Sequence, residues 1–140
     1  MTDIKTLIRA ALDARDKAYA PYSGYLVGAA LLCGNDTVVT GCNIENASYG
    51  ATICAERCAV FKAVSDGARD FRAIVITGGK AGEKDELSDY AYPCRMCRQV
   101  LREFTDPENF KVIVARSITD HKEYTLEELL PESFGPDHVK

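Results

Sequence analysis

Short apolar runs alternate with segments of helical periodicity along most of this chain, and this alternation limits the possible fold more than any other feature. Five apolar residues near the start recur at helical spacing: Ile4, Leu7, Ile8, Ala11 and Leu12. They predict an amphipathic helix that ends near Pro21 and Gly24 and covers one face of a sheet. Two β-rich runs follow at residues 26–33 and 37–43, and the turn residues 34–36 between them predict a hairpin.

Helix and strand patterns then alternate towards the end of the chain. The predicted elements are a helix from about Cys54 to Val64, a strand over 71–77, a helix after Pro93, a strand over 111–115 and a short helix at 126–130. Thr125 and Glu128 form a capping box ahead of that last helix. The breaker-rich stretch 78–93 predicts a loop. This order predicts an α/β fold in which one mixed sheet carries helices on both faces.

The size and charge of the chain narrow its class. With 140 residues, 46% of them hydrophobic, the chain can bury the core of one domain, which we expect to span residues 1–140. Residues 1–15 carry both signs of charge and no long apolar stretch, so we expect a cytoplasmic protein without a membrane segment. The formal net charge of -4 argues against a nucleic-acid partner.

The six cysteines point to metal binding or catalysis rather than to disulfides, because reducing compartments keep thiols free. Cys94 and Cys97 form a C-x-x-C motif at the start of a predicted helix, and Cys54 starts another. Helix N-termini favour thiolate over thiol. Three arginines add positive charge beside these thiols: Arg57, Arg95 and Arg98. A lone C-x-x-C is weak evidence, but a third thiol in the same setting favours zinc.

Two zinc sites are compatible with these thiols. In the first, four thiolates close the site: Cys54, Cys58, Cys94 and Cys97. In the second, Cys58 is left out and the fourth position holds a water, as in catalytic sites. Glu56 favours the second, because a carboxylate within one turn of a ligand can take a proton from such a water. Both histidines lie near the C-terminal end of the sequence, so Glu56 is the only predicted general acid/base.

Each of these residues also has a plainer explanation. Glu56 taken alone is an acid that a helix dipole stabilises in the first turn. Cys58 is more simply a core thiol, as are Cys33 and Cys42 in their apolar strands, because free cysteine is among the most buried residue types. Arg57 is either an ordinary surface charge or a group that neutralises the thiolates.

The motifs together resemble the zinc-dependent cytidine deaminases, and more closely the small homotetrameric type. C-A-E at residues 54–56, followed by P-C-x-x-C at residues 93–97, matches the zinc deaminase signature in its three-cysteine form. Five stretches carry the wider resemblance almost from end to end: APYSGYLVGAALL (20–32), GCNIENASYG (41–50), CAERCAVFKAV (54–64), PCRMCRQV (93–100) and EELLPESF (127–134).

The resemblance implies a three-layer α/β/α sandwich with a mixed five-stranded sheet, one Zn²⁺ per subunit, and a homotetramer with active sites at subunit interfaces. It places the zinc ligands at Cys54, Cys94 and Cys97 and the proton shuttle at Glu56. The family's substrate contacts fall on five residues: Asn43 and Glu45 on the ribose hydroxyls, the Tyr25 ring beside the base, the backbone of Ala55 on the pyrimidine, and Phe134 in a neighbouring subunit's site.

Three residues depart from the commonest pattern of that family. Tyr25 stands where phenylalanine is usual, Cys58 where threonine is common and Arg95 where glycine is common. Tyr25 keeps the ring and adds a hydroxyl, so it affects the base contacts rather than the reaction. Arg95 adds a charge near the metal. Cys58 keeps the four-thiolate site as an alternative.

The implied reaction is hydrolytic deamination of cytidine and 2'-deoxycytidine to uridine and 2'-deoxyuridine, with release of ammonia, as in pyrimidine salvage. Water activated by zinc attacks C4 of the ring, while Glu56 passes the proton to N3 and helps the amino group leave. Asn43 and Glu45 predict a nucleoside rather than free cytosine as substrate, because groups that pair with hydroxyls are left unpaired by the base alone.

Four other functions compete with this one. A deaminase of a nucleoside-like antibiotic, as in the blasticidin deaminases, shares the zinc motifs, but Glu45 argues against it. Editing of nucleic acid is disfavoured by the acidic balance. A non-enzymatic module with a closed four-cysteine zinc site predicts no turnover. A thiol-disulfide oxidoreductase needs Cys94 and Cys97 to cycle between dithiol and disulfide.

Overall fold

The secondary structure follows the predicted alternation of helix and strand. The computed structural model describes residues 2–139. The elements of this range are α1 (Ile4–Arg15), β1 (Tyr25–Cys33), β2 (Val38–Cys42), α2 (Ala55–Ser65), β3 (Phe71–Lys80), α3 (Arg95–Phe104), β4 (Lys111–Ser117), β5 (Asp120–Thr125) and α4 (Leu126–Leu129). Short 3₁₀ turns occupy Tyr49–Ala51 and Pro136–His138. Within the described range, no helix is long and apolar enough to cross a membrane.

The five strands form one mixed sheet in the order β2-β1-β3-β4-β5. Strands β3 and β4 are parallel, and α3 connects them as the crossover helix that a parallel pair requires. The other neighbouring pairs are antiparallel. The predicted hairpin is present as β1 and β2, and the prediction of a mixed sheet is confirmed.

Helices cover both faces of the sheet, because the buried strands are apolar on both sides. On β1, Ala29 and Leu31 belong to the core cluster shared with α2 and α3, whereas Ala30 and Leu32 belong to the cluster shared with α1. This alternation follows the two-residue period of a strand. The fold is therefore the predicted three-layer α/β/α sandwich, with α1 on one face and α2 and α3 on the other.

The first helix ends earlier than the predicted boundary near Pro21. Helix α1 stops at Arg15, and the following segment pairs with the chain after β2 through Tyr19 and Ile44. The Tyr19 amide donates to the Asn43 carbonyl at 3.0 Å, and the Glu45 amide donates to the Tyr19 carbonyl at 2.8 Å. These long-range bonds replace the helical ones, so tertiary pairing decides the boundary.

Two further differences concern the sheet. Strand β3 continues to Lys80, so Gly78 and Gly79 are paired with β1 and do not open the loop. Strand β5 was implied by the family resemblance, but no apolar run in the sequence indicated it. Its residues DHKEYT are mostly polar and partly exposed, as is usual at a sheet edge, where charged side chains oppose pairing with other chains.

A glycine on β1 allows α1 to lie unusually close to the sheet. A Cβ atom at Gly28 would lie 2.0 Å from the Ala11 carbonyl oxygen and 2.6 Å from the Arg15 amide nitrogen. Both are backbone atoms of α1, so no side-chain rotation can relieve the overlap. Arg15 fixes the same contact, since its buried guanidinium donates to the carbonyls of Leu26, Lys80 and Glu83.

We expect Gly28→Ala to lower the free energy of unfolding by about 3 kcal/mol, because α1 must move away from β1 to admit the methyl group. Urea denaturation followed by circular dichroism measures the change. Gly50→Ala is the matched control, because a Cβ there meets nothing within 4 Å. If both variants unfold at the wild-type urea concentration, the close packing of α1 does not limit stability.

Candidate active site

Three thiols that are distant in sequence meet at one place. The Sγ atoms of Cys54, Cys94 and Cys97 all lie within 4.8 Å of one another. Cys54 and Cys94 are the N-cap residues of α2 and α3, and Cys97 lies in the first turn of α3, three residues after Cys94. Among residues 2–139, this is the only group of three or more cysteine, histidine or acidic side chains placed to hold one metal ion.

The spacing of these sulfurs fits a zinc ion. Tetrahedral zinc with bonds of about 2.3 Å holds two thiolates about 3.8 Å apart. The Cys54 and Cys94 sulfurs are 3.8 Å apart, and those of Cys94 and Cys97 are 3.3 Å apart. Three soft thiolates suit zinc and leave one of its four positions for another ligand.

Cys58 is not part of this group. It lies inside α2 and close to Cys42, whose pKa is raised by burial and, to a smaller extent, by the neighbouring Cys58. One helical turn advances about 5.4 Å along the axis. Cys58 is four positions after the N-cap residue Cys54, so it lies about one turn away from the N-terminal end of α2. The structure therefore brings together three of the four thiols considered from the sequence.

Positive charge beside Cys54 favours the ionised form of this thiol, whereas the pKa of Cys97 is raised because its thiol donates to the Cys54 sulfur. The pKa of Cys54 is lowered to about 5, because Cys97 and Arg57 donate hydrogen bonds to its sulfur. The Nη2 atom of Arg57 lies 3.3 Å from that sulfur, and this bond raises the pKa of Arg57. Arg98 is directed elsewhere, since it donates to the carbonyls of Pro93 and Leu129. The remaining arginine of the motif, Arg95, is exposed.

Glu56 is a buried carboxyl beside the thiols. It lies in the first turn of α2, and only 4% of it is exposed. Burial raises the pKa of Glu56 to about 7, and the negative charge of Cys54 acts in the same direction. A carboxyl with such a pKa can accept and return a proton near neutral pH, which is the property of a general acid/base.

Cys54, Cys94 and Glu56 line a cavity of about 380 Å³, and Cys97 is buried behind them. Its lining residues are Tyr25, Val27, Asn43, Thr52, Ile53, Cys54, Ala55, Glu56, Ile76, Tyr90, Ala91, Tyr92 and Cys94. The walls are thus largely apolar and aromatic, with polar groups in a few places, as is common in small-molecule sites. A second cavity of about 350 Å³ is lined by Glu45 and shares Thr52 with the first.

Asn43 is held by the first residues of β1, and Glu45 is held by the segment that precedes β1. The Asn43 side chain accepts from the Val27 amide at 2.9 Å and donates to the Tyr25 carbonyl at 2.9 Å. Glu45 accepts from the amides of Tyr22 and Ser23 and from the Ser23 hydroxyl, which lowers its pKa. A primary amide and a carboxylate each have further hydrogen-bonding capacity, so these contacts fix both groups without using them up.

Two other residues singled out from the sequence also line the cavity. The Tyr25 ring lies at the start of β1, and a Cβ atom at Gly78 would come within 3.1 Å of its hydroxyl oxygen. The absence of a side chain at Gly78 therefore makes room for the ring. Ala55 is the first residue of α2, so its amide is one of the helical N–H groups without an acceptor inside the helix.

Phe134 is absent from the cavity of its own chain. It is 60% exposed, and its ring stacks on His138 with the centroids 5.3 Å apart. The Gln99 side chain donates to its carbonyl at 2.9 Å, which ties the segment to α3. The other histidine, His121, contacts Glu123 on β5, so neither histidine belongs to the thiol group.

Sequence reasoning missed the wall formed by Tyr90, Ala91 and Tyr92. These residues immediately precede Pro93 and the C-x-x-C motif, in a stretch interpreted only as a loop. Their position next to metal-binding cysteines was a usable signal, because a loop that ends at a ligand must pass beside the site. Two aromatic residues in such a loop indicate a cavity wall.

Comparison with known proteins agrees with this geometry. Residues 1–114 match the family model described as the cytidine and deoxycytidylate deaminase zinc-binding region. The chain is 47% identical over 137 residues to the cytidine deaminase of Halalkalibacterium halodurans, covering 98% of each chain. It is 42% identical over 137 residues to that of Sporosarcina psychrophila, covering 98% of this chain and 95% of the relative.

Solved structures show the same likeness. The cytidine deaminase from Burkholderia pseudomallei superposes with a TM-score of 0.84 at 41% identity, covering 95% of this chain and 100% of that one. The enzyme from Mycobacterium tuberculosis gives a TM-score of 0.78 at 38% identity, covering 96% and 99%. On its fold, its near full-length relatives and its zinc-binding region, this chain belongs to the cytidine deaminase family.

Proposed function

We propose that this protein is a zinc-dependent enzyme that hydrolyses the exocyclic C–N bond of cytidine and 2'-deoxycytidine. The products are uridine or 2'-deoxyuridine and ammonia, and the reaction serves pyrimidine salvage in the cytoplasm. The observation that carries the proposal is a group of three thiols, two of which line the same cavity as the buried carboxyl of Glu56. Membership of the deaminase family supports the same reaction.

Cys54, Cys94 and Cys97 hold one Zn²⁺ per chain. When bound, the zinc acts as a Lewis acid that lowers the pKa of a water in the fourth position. Three thiolates carry one negative charge more than the ion neutralises, which weakens this effect. The two helix N-termini and Arg57 offset that excess, since Arg57 donates to the Cys54 sulfur and remains charged.

Glu56 moves the proton. Its raised pKa lets it take a proton from the attacking water, because its charged form is poorly solvated where it lies. It then protonates N3 of the pyrimidine, which makes C4 more electrophilic. Glu56 then takes the second proton from the new hydroxyl on C4 and passes it to the amino group, which leaves as ammonia while the C4 carbonyl forms, so Glu56 ends the cycle in its starting state.

The substrate is bound by residues of this cavity and by Glu45, which lines the neighbouring one. The Tyr25 ring packs beside the base, and the amide of Ala55 donates to the pyrimidine. Asn43 and Glu45 pair with the ribose hydroxyls, using the capacity that their contacts to the chain leave open. This predicts a nucleoside substrate, because the free base leaves both groups unpaired.

The active form is a homotetramer in which Phe134 completes a neighbouring subunit's site. Its ring is exposed and lies outside the cavity of its own chain, although its backbone is tied to α3. Other large apolar side chains are also exposed and would be covered by association: Tyr19, Tyr22, Ile44, Tyr49, Phe61, Tyr92 and Met96. Part of this surface is contiguous, since the rings of Tyr22 and Tyr49 contact each other with their centroids 6.3 Å apart, and contiguous apolar surface is typical of interfaces.

Cytidine and cytosine distinguish this function from its rivals. We expect purified protein to convert cytidine, to lose that activity on zinc chelation and to regain it when zinc is restored. Cytosine should be converted at least about a hundredfold less efficiently, because Asn43 and Glu45 are left unpaired. Ultraviolet absorbance follows both reactions. If cytidine and cytosine are converted with equal efficiency, the proposed ribose contacts are wrong. If the zinc-loaded protein converts neither substrate, the proposed deamination is wrong.

Glu56→Gln tests the proton shuttle. We expect kcat for cytidine to fall by about a thousandfold, because general acid/base catalysis contributes on the order of 10²–10⁴. Zinc content should remain at the wild-type value. Glu103→Gln is the matched control, because Glu103 is an exposed acid on α3. A Glu56→Gln variant with wild-type kcat would show that another group carries the proton.

The two zinc arrangements make opposite predictions for Cys58. We expect Cys94→Ser to reduce bound zinc strongly, whereas Cys58→Ser should retain one zinc per chain and wild-type turnover. The reason is that the Cys94 sulfur lies within 3.8 Å of both other thiols and Cys58 lies outside the group. Metal analysis and the cytidine assay measure both variants. If Cys58→Ser loses its zinc, Cys58 is a zinc ligand and the site is the closed four-thiolate one.

A further inference from the structure

The cavity wall ahead of the zinc-binding helix needs a support of its own. Residues 88–93 belong to no helix or strand, yet they carry Tyr90, Ala91 and Tyr92 into the cavity and end next to Cys94. A segment without ladder hydrogen bonds is positioned by its side-chain contacts. In this chain those contacts reach the hairpin of β4 and β5, which supplies none of the residues that line the cavity.

Tyr90 makes the most extensive of these contacts. Its hydroxyl donates to the Asp120 carboxylate at the start of β5. The guanidinium carbon of Arg116 lies 4.5 Å from the centre of its ring, and the Lys122 ammonium lies 4.6 Å from it. Two cations close to one ring add cation–π attraction to the hydrogen bond. The Tyr90 ring is thus held at its edge by the hydrogen bond of its hydroxyl and at its face by the two cations.

Arg116 and Asp120 are themselves fixed to each other. The Nε and Nη2 atoms of Arg116 lie 2.8 and 2.6 Å from the same carboxylate oxygen of Asp120. Asp120 therefore bonds both Tyr90 and Arg116, and the Arg116 guanidinium in turn contacts the face of the Tyr90 ring. The three side chains close a triangle of contacts, which restricts each of them more than a single pair does.

The backbone of the hairpin favours this arrangement. The register of β4 and β5 shifts between Ala115 and Ser117, which places Arg116 in a bulge. A bulge redirects a side chain from the regular alternation of the strand. The Arg116 carbonyl also accepts from the Leu87 amide at 2.8 Å, so the same residue holds the beginning of the loop. Tyr92 adds a further contact, edge-on to Tyr124 of β5.

We propose that Tyr90, Asp120 and Arg116 form a latch whose Tyr90 is a positioning residue for substrate binding. The latch keeps the wall of residues 88–93 in the position in which the cavity fits a pyrimidine nucleoside. It takes no part in proton transfer or zinc binding, so its loss weakens substrate binding and leaves the chemical step intact. The substrate effect rests on the proposed deamination, whereas the mobility of the wall does not.

Tyr90→Phe removes the hydroxyl and keeps the ring, so it opens the latch with the least disturbance. We expect amide hydrogen exchange in residues 88–92 to become faster and KM for cytidine to rise about fivefold, the effect of one lost hydrogen bond. kcat and zinc content should stay within about twofold of wild type. Glu86→Gln is the control, because Glu86 is an exposed acid of the same loop and takes no part in the contacts of Tyr90.

Asp120→Asn provides a second variant of the same latch. If Tyr90 and Asp120 act together, the double variant should show no larger rise in KM than the worse single variant. Rises in KM that multiply in the double variant would show two independent effects and overturn the latch.

The remaining outcomes separate the latch from the proposed function. Wild-type exchange and wild-type KM in Tyr90→Phe would show that the latch is wrong. A parallel loss of kcat, zinc and thermal stability would assign Tyr90 a general structural role and overturn the positioning role. If residues 88–92 exchange faster in Tyr90→Phe but the wild-type protein does not convert cytidine, the latch holds the wall and the proposed reaction is wrong.

Discussion

The N-termini of α2 and α3 meet over one face of the sheet, and the chemistry of the site depends on that meeting. Cys54 and Cys94 are the two N-cap residues, so their sulfurs lie where unpaired N–H groups and the helix dipoles favour negative charge. Gly41 allows α2 to approach, since a Cβ there would lie 2.5 Å from the Ala55 carbonyl. A shift of either helix by a few ångströms would separate the three sulfurs beyond the reach of one ion.

Asn43 in the cavity and Glu45 in the neighbouring one have structural contacts as well as their proposed roles. Asn43 bonds the backbone of β1 on both sides of Leu26, and Glu45 holds the turn that precedes it. Both groups are therefore oriented before substrate arrives, and little conformational entropy remains to be lost on binding. Burial acts in the same way on Glu56, because the burial that fixes the carboxyl also raises its pKa towards the value that its proposed role in proton transfer requires.

Most of the fold was predictable because its helices and central strands have clear hydrophobic periods. The amphipathic pattern of α1 and the apolar run of β3 each identify one element. The end of α1 and the whole of β5 were not visible, because long-range pairing decides them: Tyr19 bonds beyond β2, and β5 is a polar edge strand. The loop wall was missed for a related reason, since it has no periodicity and is supported from a hairpin distant in sequence.

The sequence by itself determined the donor types and their local spacing. Cys54 with Glu56, and Cys94 with Cys97, lie within single helical turns, and short-range geometry fixes such pairs. Only the tertiary structure decided which thiols share a site. Packing α2 and α3 on one sheet brings together residues forty positions apart and leaves Cys58 a turn away, beside Cys42. Local spacing cannot carry that information, because the relative position of two helices depends on the sheet between them.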